Sequence, residues 1–377
     1  MNWRVPLSDL DFGKEEAEAV NMVLQSKWLT MGEKTRKFER LFCEYLNVKY
    51  AFAVSSGTAA LHIALLALEI GKGSEVIVPS LTCTATVNSI LYVDATPVYA
   101  DVNGVEDFNI SCSSILANIS QRTKALLPVH YGGYPCDMSK IVKIACEHNL
   151  YIIEDAAHAT GAKFQEQSVG TIGDIGCFSF YSNKNLSCGE GGMVVTNNEM
   201  LAEKIKILRS LGMTVSAWDR QQGRAYTYDV SCLGYNYRID EIRSALGIEQ
   251  LKKLERNNQR REELVKCYRE GLIDVKDISI PFQNTAEKPA YHIFPILLSK
   301  DVSREDLIYN LKEWGIQTSV HYPPVHQFTY YKKRFGQKDE GLLNTNYIGA
   351  HEVTLPLYPT MTIEDVEYVC EKVKDNF

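Results

Sequence analysis

Short apolar strands alternate with helical patterns along the first half of the chain, and this alternation limits the possible folds more than any other feature. Such alternation predicts a mostly parallel sheet covered by helices on both faces. Sheets of this kind bind ligands at the carboxyl ends of their strands, so the polar tips that follow the strands should gather at one edge. The predicted strands are residues 50–55, 75–79, 96–100, 125–129 and 151–154, and the predicted helices are 59–68, 82–93 and 138–148.

Composition and charge narrow the class of protein. Hydrophobic residues make up 45% of the 377 residues and charged residues 23%, which is ordinary for a soluble globular enzyme. The net charge is −7 and no block of lysine and arginine stands out, so neither a nucleic-acid partner nor a membrane is expected. The amino terminus has no apolar signal region and no run of eighteen apolar residues occurs, which predicts a cytoplasmic protein.

Metal binding is not expected from the cysteines. The ten cysteines are scattered, with no CxxC pair and no histidine at the spacing of a zinc site. Most of them lie in apolar runs, so we expect them to be reduced and structural. The prediction is therefore that the protein has no metal centre.

One lysine occupies the tip between two predicted strands. Residues 177–192, CFSFYSNKNLSCGEGG, form an apolar run that ends near Lys184 and is followed by glycines and a second apolar run. A lysine held at such a tip can be partly desolvated and become a nucleophile. From this stretch alone, a solvated hairpin lysine is the favoured interpretation.

Two further tips at the same predicted edge carry polar groups. Ser56, Gly57 and Thr58 lie between a strand and a helix, where backbone N–H groups and the helix dipole can bind a phosphate, although helix capping explains them as well. Asp155 follows the strand 151–154 and could cap a helix or pair with a cationic ring nitrogen. A phosphate cradle, an aspartate and a tip lysine on one parallel sheet are the parts that a pyridoxal 5′-phosphate (PLP) site needs.

The order and spacing of these motifs resemble the DegT/DnrJ/StrS sugar aminotransferases, which are fold-type I PLP enzymes. The resemblance implies a three-layer α/β fold of the aspartate-aminotransferase type, with a mostly parallel sheet. It also implies a large PLP-binding domain, residues 1–245, and a smaller carboxyl-terminal α/β domain, residues 246–377. The matching stretches include VSSGTAALHIAL at 54–65, EVIVPSLT at 75–82, IEDAAHATGA at 153–162, GTIGDIGCFSF at 170–180, GEGGMVVT at 189–196, GYNYRIDEIRSALG at 234–247 and LPLYPTMT at 355–362.

Residue by residue, the resemblance implies a cofactor site. Lys184 matches the lysine that forms the Schiff base with PLP, and Asp155 matches the partner of the pyridine nitrogen. His158 matches a position near the ring and its hydroxyl. The positions that match phosphate-binding residues of the family are Gly57, Thr58 and Ser179.

Asn236 matches an asparagine that reaches the cofactor phosphate of the partner subunit, so the resemblance implies a homodimer with shared active sites. A turn-forming role within the Gly-Tyr-Asn-Tyr loop would explain Asn236 equally well.

Cys83 departs from the family pattern. Family members commonly carry an aromatic residue there that stacks on the pyridine ring, and a sulfur offers less contact area. Either Cys83 itself contacts the ring, or Tyr131 or another ring compensates. Alternatively, Cys83 is a small buried helix residue with no role at the site.

The segment after a predicted strand at 318–321 carries the candidate substrate residues. The family uses this segment to approach its substrate, so the resemblance implies that His321, Tyr322 and His326 contact the sugar, although structural roles are equally compatible. Arg224 could meet a substrate phosphate or form a surface ion pair.

The resemblance implies transfer of an amino group from L-glutamate to a nucleotide-linked keto sugar. Residues 217–242 and 321–335 look more like members that act at C4 of a sugar, often a 6-deoxy sugar, than like the 3-amino branch. A 3-keto-sugar or aminocyclitol aminotransferase is the alternative within the family. From a different class, a cofactor-binding regulatory protein is the alternative, although such a protein would be expected to lose Lys184 or Asp155.

Overall fold

A computed structural model describes residues 3–283, 287–336 and 340–377. The helices are α1 (Lys14–Ser26), α2 (Glu33–Leu46), α3 (Gly57–Ala67), α4 (Thr84–Tyr92), α5 (Cys112–Asn118), α6 (Met138–His148), α7 (Glu199–Leu208), α8 (Ala217–Gln221), α9 (Glu241–Leu272), α10 (Arg304–Glu313), α11 (Thr329–Phe335), α12 (Leu343–His351) and α13 (Ile363–Lys374). The strands are β1 (Tyr50–Val54), β2 (Glu75–Pro79), β3 (Thr96–Ala100), β4 (Val102–Gly104), β5 (Asp107–Ile110), β6 (Thr123–Leu126), β7 (Tyr151–Asp155), β8 (Lys163–Phe164), β9 (Gln167–Ser168), β10 (Ile175–Ser179), β11 (Gly192–Thr196), β12 (Ile278–Ser279), β13 (Phe294–Leu298) and β14 (Glu352–Leu355).

Seven strands form the central sheet, in the order β1-β11-β10-β7-β6-β2-β3. The neighbours from β10 to β3 are all parallel, whereas β11 pairs antiparallel with both β1 and β10. The predicted mostly parallel α/β sheet is thus confirmed. The parallel strands bring the ends of β2, β7 and β10 to one edge, as the alternation of elements predicts.

Both faces of this sheet are buried, which makes the fold three-layered. Consecutive residues of a strand point to opposite faces. In β2, Val76 and Val78 belong to a core with α3, α4 and α7, whereas Ile77 belongs to a core with α2 and α6. Helix α3 is buried along nearly its whole length, which explains why its sequence is apolar all round.

The predicted elements match the observed ones except at their ends and at one strand. The helix predicted at 82–93 begins at Thr84, and Cys83 is its N-cap residue. The strand predicted at 318–321 is wrong, because this segment makes only an isolated bridge between Ser319 and Thr354. Ser319 exchanges two backbone hydrogen bonds with Thr354, at 3.1 Å and 2.8 Å, and the pairing does not extend to a strand among the described residues.

The carboxyl-terminal part of the chain builds a second, smaller sheet from β12, β13 and β14. This sheet, α10, α13 and the second half of α9 share one apolar core, and Val5 from the amino terminus joins the same core. The predicted domain boundary at 245/246 lies inside α9, which continues over 32 residues. The division into domains 1–245 and 246–377 therefore stays a prediction. Among the described residues, no helix combines the length and apolarity needed to cross a membrane.

Candidate active site

The start of α3 and the end of β10 meet at the carboxyl edge of the sheet. Ser56 is the N-cap of α3, and its side chain accepts a hydrogen bond from the N–H of Ala59 at 3.1 Å. Gly57 lies against Ser179, since a Cβ atom at Gly57 would stand 2.8 Å from Cβ of Ser179. The predicted phosphate-binding residues Gly57, Thr58 and Ser179 are thus brought together at the start of this helix. Such a helix start favours an anion.

Gly57→Ala is expected to weaken cofactor binding about tenfold, because the added methyl group would push Ser179 away and overpacking of this size costs about 1–2 kcal/mol. The measurement is a titration of the cofactor-free protein with PLP, followed by absorbance. Gly71→Ala is the matched control, because a Cβ there meets only the carbonyl oxygen of Val93 at 3.5 Å. Equal affinities in the two variants would contradict a phosphate site at Gly57.

Lys184 lies in a turn after β10, with its N–H bonded to the carbonyl of Tyr181 at 2.9 Å. The side chain is partly buried rather than solvated. Burial lowers the pKa of Lys184 to about 8, while the nearby Cys83 and Asp155 act in the opposite direction. With this pKa, about a tenth of the amine is uncharged at pH 7 and the fraction rises with pH. The uncharged form is the one that a nucleophilic or proton-accepting lysine requires.

Asp155 and its neighbour Glu154 point to opposite faces of β7 because they are consecutive strand residues. Glu154 accepts backbone N–H groups of Gly170 at 2.8 Å and Gly173 at 2.7 Å behind the sheet. Asp155 faces the site, where one oxygen accepts from Oγ1 of Thr86 at 2.8 Å and the other from the N–H of Ala157 at 3.1 Å.

The helix-cap interpretation of Asp155 is wrong, since a turn and not a helix follows it. Burial raises the pKa of Asp155, while its hydrogen bonds to Thr86 and Ala157 and the positive charge of Lys184 lower it. A cationic ring nitrogen placed beside this carboxylate would be stabilised by it.

Two hydrogen bonds determine which nitrogen of His158 carries hydrogen. The N–H of Gly132 points at Nδ1 at 3.3 Å, so Nδ1 is the acceptor and Nε2 bears the hydrogen. Nε2 then donates to the hydroxyl of Tyr322 at 2.9 Å, which leaves the hydrogen of Tyr322 available for another acceptor. Burial lowers the pKa of His158 well below its usual value and raises that of Tyr322 well above, so both are neutral near pH 7.

His292 belongs to this cluster, and it was not identified from the sequence. Its Nε2 lies 3.4 Å from Nζ of Lys184, and its Nδ1 lies 3.0 Å from Oδ1 of Asn185. The amide group of Asn185 donates to Asn258 at 2.8 Å and to the carbonyl of Ala290 at 2.6 Å. Nδ1 of His292 is therefore the donor to Asn185, and the lone pair of Nε2 faces the lysine amine. The sequence signal that could have identified His292 is its position at the start of the apolar strand pattern HIFPILL.

Cys83 and Tyr131 differ in where the structure places them. Cys83 is exposed at the start of α4, close enough to Lys184 to influence its charge, so the interpretation as a buried helix residue is wrong. Tyr131 is fully buried against Phe108 and Phe282. Its hydroxyl donates to the carbonyl of His321, so Tyr131 is part of the core and cannot compensate by stacking in the site.

The predicted substrate residues separate into two groups. Tyr322 and His321 adjoin the Lys184 cluster, because their rings lie 5.9 Å and 6.4 Å from that of His158. His326 instead uses its ring nitrogens to bond Oγ of Ser80 at 2.7 Å and Oδ1 of Asn346 at 3.0 Å, which gives it a structural role.

Arg224 and Asn236 lie on the surface of the single chain. Arg224 forms an ion pair with Asp219 at 3.0 Å, which is the alternative that the sequence left open. Asn236 is exposed, and its backbone pairs with Ser210 beside the edge of the sheet. Neither residue adjoins Lys184 in one chain.

The residues present fit PLP in chemistry and in placement. The start of α3 offers N–H donors for a phosphate, and the absence of a side chain at Gly57 keeps the space beside it open. Asp155 offers a carboxylate to a ring nitrogen. Lys184 offers an amine with a lowered pKa. Beside it, Oδ1 of Asn183 is buried without a hydrogen-bond partner in the described part of the chain, which leaves one acceptor open to a bound group.

Known proteins resemble this chain over nearly its whole length. The spore coat polysaccharide biosynthesis protein SpsC of Bacillus subtilis is 40% identical over 379 residues, covering 99% of this chain and 97% of SpsC. The structure of Helicobacter pylori PseC, an aminotransferase involved in pseudoaminic acid biosynthesis, is 31% identical, with a TM-score of 0.92 and 99% of both chains covered.

A sugar aminotransferase solved with the cofactor resembles the chain to the same extent. The putative sugar aminotransferase Spr1654 of Streptococcus pneumoniae, solved in a PLP form, is 28% identical, with a TM-score of 0.92 and 98% of both chains covered. The same protein is also solved in a PMP form. These similarities confirm the fold-type I architecture and PLP as the cofactor. Residues 10–374 match the family profile, and the chain belongs to the DegT/DnrJ/EryC1/StrS aminotransferase family.

Proposed function

We propose that the chain converts a nucleotide-linked 4-keto sugar, such as a 4-keto-6-deoxyhexose, to the 4-amino sugar with L-glutamate as amino donor. The observation that carries this proposal is the uncharged, hydrogen-bonding surface around Lys184. Burial lowers the pKa of His158 and His292 well below the usual value and that of His321 to about 4, so all three are neutral near pH 7. With the free hydroxyl hydrogen of Tyr322, they suit the hydroxyl groups of a neutral sugar ring.

The chain's own residues divide the chemical work. When bound, PLP supplies an electron sink that stabilises negative charge at the carbon bearing the amine. Asp155 keeps negative charge beside the ring nitrogen, and the start of α3 with Gly57 and Ser179 binds the phosphate. Lys184 accepts and returns the proton, a role for which a pKa near 8 is suited.

A basic surface beside the site supports a nucleotide-linked substrate. Lys332, Lys333 and Arg334 are exposed on α11. This helix is anchored to α4, because the hydroxyl of Tyr331 donates to Oδ1 of Asn88 at 2.7 Å, and α4 begins next to Cys83. On a chain of net charge −7, a local basic group favours an anion such as a nucleoside diphosphate.

Exposed apolar residues beside Asn236 support the homodimer that the family resemblance implies. Tyr226 is 98% exposed and Leu233 82% exposed in the single chain. Large apolar side chains this exposed are typical of a surface that another chain covers. A second copy covering this segment would bring Asn236 towards the partner's phosphate site, and Arg224 lies on the same segment.

A screen of amino acceptors tests the proposal. The purified enzyme with L-glutamate is expected to release 2-oxoglutarate with nucleotide-linked 4-keto sugars at least about tenfold faster than with 3-keto sugars or keto cyclitols, since a misplaced carbonyl costs at least about 1.4 kcal/mol. The Lys184→Ala variant is the blank. Preference for a 3-keto sugar or a cyclitol would assign the enzyme to the alternative branch. Cofactor binding without turnover of any acceptor would favour a regulatory protein.

A further inference from the structure

Strand β14 carries a buried carboxylic acid that the proposed chemistry does not use. Glu352 and Thr354 are two residues apart on this strand, so they share a face, and both are almost fully buried. The backbone bridge between Ser319 and Thr354 places the segment that contains His321 next to β14. The N–H of His321 donates to Oε2 of Glu352 at 2.8 Å.

These three side chains form one continuous hydrogen-bonded row. Oγ1 of Thr354 lies 2.5 Å from Oε1 of Glu352 and 2.9 Å from Nδ1 of His321. Because a threonine hydroxyl has only one hydrogen, it can donate to one of these neighbours and must accept from the other. The row therefore has two arrangements.

The proton on Glu352 decides between them. When Glu352 is ionised, Thr354 donates to the carboxylate and accepts from Nδ1–H of His321, which leaves a lone pair on Nε2. When Glu352 is protonated on Oε1, it donates to Thr354, Thr354 donates to Nδ1, and the hydrogen of His321 sits on Nε2. The state of a carboxyl group inside the core is thus transmitted to the far side of the imidazole ring.

Both arrangements are accessible near neutral pH. Burial raises the pKa of Glu352 to about 8, while the hydrogen bonds from Thr354 and His321 and the charge of Arg304 lower it. His321 stays neutral, because burial and Lys184 lower its pKa to about 4. The other titratable groups that face the row are His158, His292, Tyr131 and Tyr322.

The outer end of the row faces the site of Lys184. His321 lines a small cavity together with Asn183 and His292. Tyr322 is the next residue in the chain, and its hydroxyl contacts His158 at 2.9 Å. Nε2 of His321 makes no hydrogen bond to any residue that the structure describes, so it is the unused end of the row. A hydrogen or a lone pair there is presented to whatever occupies the site.

We infer that Glu352, Thr354 and His321 form a proton relay that serves the reacting amine and carbonyl groups at Lys184. Nε2–H of His321 passes its proton to the oxygen of the keto substrate, Nδ1 takes the proton of Thr354, and Thr354 takes that of Glu352. Condensation of an amine with a carbonyl group moves two protons from nitrogen to oxygen as water leaves. A proton returning from nitrogen to Nε2 runs the row backwards and restores Glu352. Each such cycle moves one proton from nitrogen to oxygen, so two cycles supply both protons of the departing water and leave Glu352 protonated as at the start.

The test follows the hydrogen on His321 in the full-length holoenzyme by ¹⁵N NMR of labelled histidine, with His321→Asn used to assign the signals. In the wild type the hydrogen should move from Nε2 to Nδ1 as the pH rises through about 8, because Glu352 loses its proton there. In Glu352→Gln the amide donates to Thr354 at every pH, so the hydrogen should stay on Nε2. Thr354→Val should break the link without changing volume, and Glu313→Gln, an exposed carboxylate on α10, should behave as the wild type.

Activity supplies the second measurement. Glu352→Gln is expected to lower kcat about tenfold and to remove the inflection near pH 8 from its pH profile. The relay would be overturned if the hydrogen of His321 stayed on the same ring nitrogen from pH 6.5 to 9.5 in the wild type. An unchanged kcat in Glu352→Gln would overturn it as well. The catalytic role of the relay rests on the proposed function. The NMR measurement needs no substrate, so a failed acceptor screen would leave the NMR test of the hydrogen-bonded row valid.

Discussion

Replacing Lys184 with alanine is expected to lower transamination by about 10⁴-fold or more and to remove the absorbance of the lysine-linked cofactor. In the proposed mechanism the amine is the nucleophile that binds the cofactor and the base that moves the proton, and the loss of either role costs several powers of ten. The turnover of L-glutamate and the visible spectrum of the purified variant measure the two effects. Lys143→Ala, at an exposed lysine, should leave both unchanged. Retention of activity or of the absorbance would refute the assignment of Lys184.

The same lysine makes a pH dependence testable. Burial lowers the pKa of Lys184 to about 8, so the uncharged amine becomes dominant as the pH rises through that value. The rate at which the cofactor-free protein takes up PLP should therefore rise between about pH 7 and 9 and then level off. A rise delayed to the ordinary lysine range, above pH 10, would show that the amine is solvated instead.

Asp155→Asn is expected to lower kcat about 10²- to 10³-fold while leaving cofactor content nearly unchanged. The amide has almost the same shape but no charge to stabilise a protonated ring nitrogen, and loss of one preorganised electrostatic partner costs about this much. The proposed phosphate site at Gly57 does not include the carboxylate, so cofactor binding should survive. Steady-state kinetics and the PLP content of the purified variant measure the two quantities.

Thr86→Val is the matched control for Asp155. It removes the 2.8 Å hydrogen bond to the carboxylate but keeps the charge, so a loss of about tenfold or less is expected. If Asp155→Asn kept kcat within about threefold of the wild type, the ring nitrogen would have another partner. Equal losses in both variants would point to a structural effect of the hydrogen bond rather than to the charge.

Local patterns were enough to predict the sheet and the parts of the cofactor site that lie at strand ends. The strand that ends at Asp155 and the helix that starts at Gly57 are short-range features, because a buried strand or a helix start depends on a few neighbouring residues. The parallel topology then brings these ends together. The edge on which Lys184, Asp155 and Gly57 meet could therefore be inferred without knowing any side-chain contact.

Tertiary packing decided which other side chains reach Lys184 and in what charge state. His292 contacts Lys184 across 108 positions of the chain, and His321 meets Thr354 across 33, so no local pattern reports these pairs. Burial, and not residue type, keeps the imidazole of His292 neutral and raises the pKa of Glu352 to about 8. Short-range patterns in the sequence determined the fold class, and the order of the family motifs indicated the cofactor, while the assignment of Lys184 to that cofactor stays a prediction. The hydrogen-bonding surface around the lysine was decided only by folding, because desolvation and long-range contacts exist only in the packed chain.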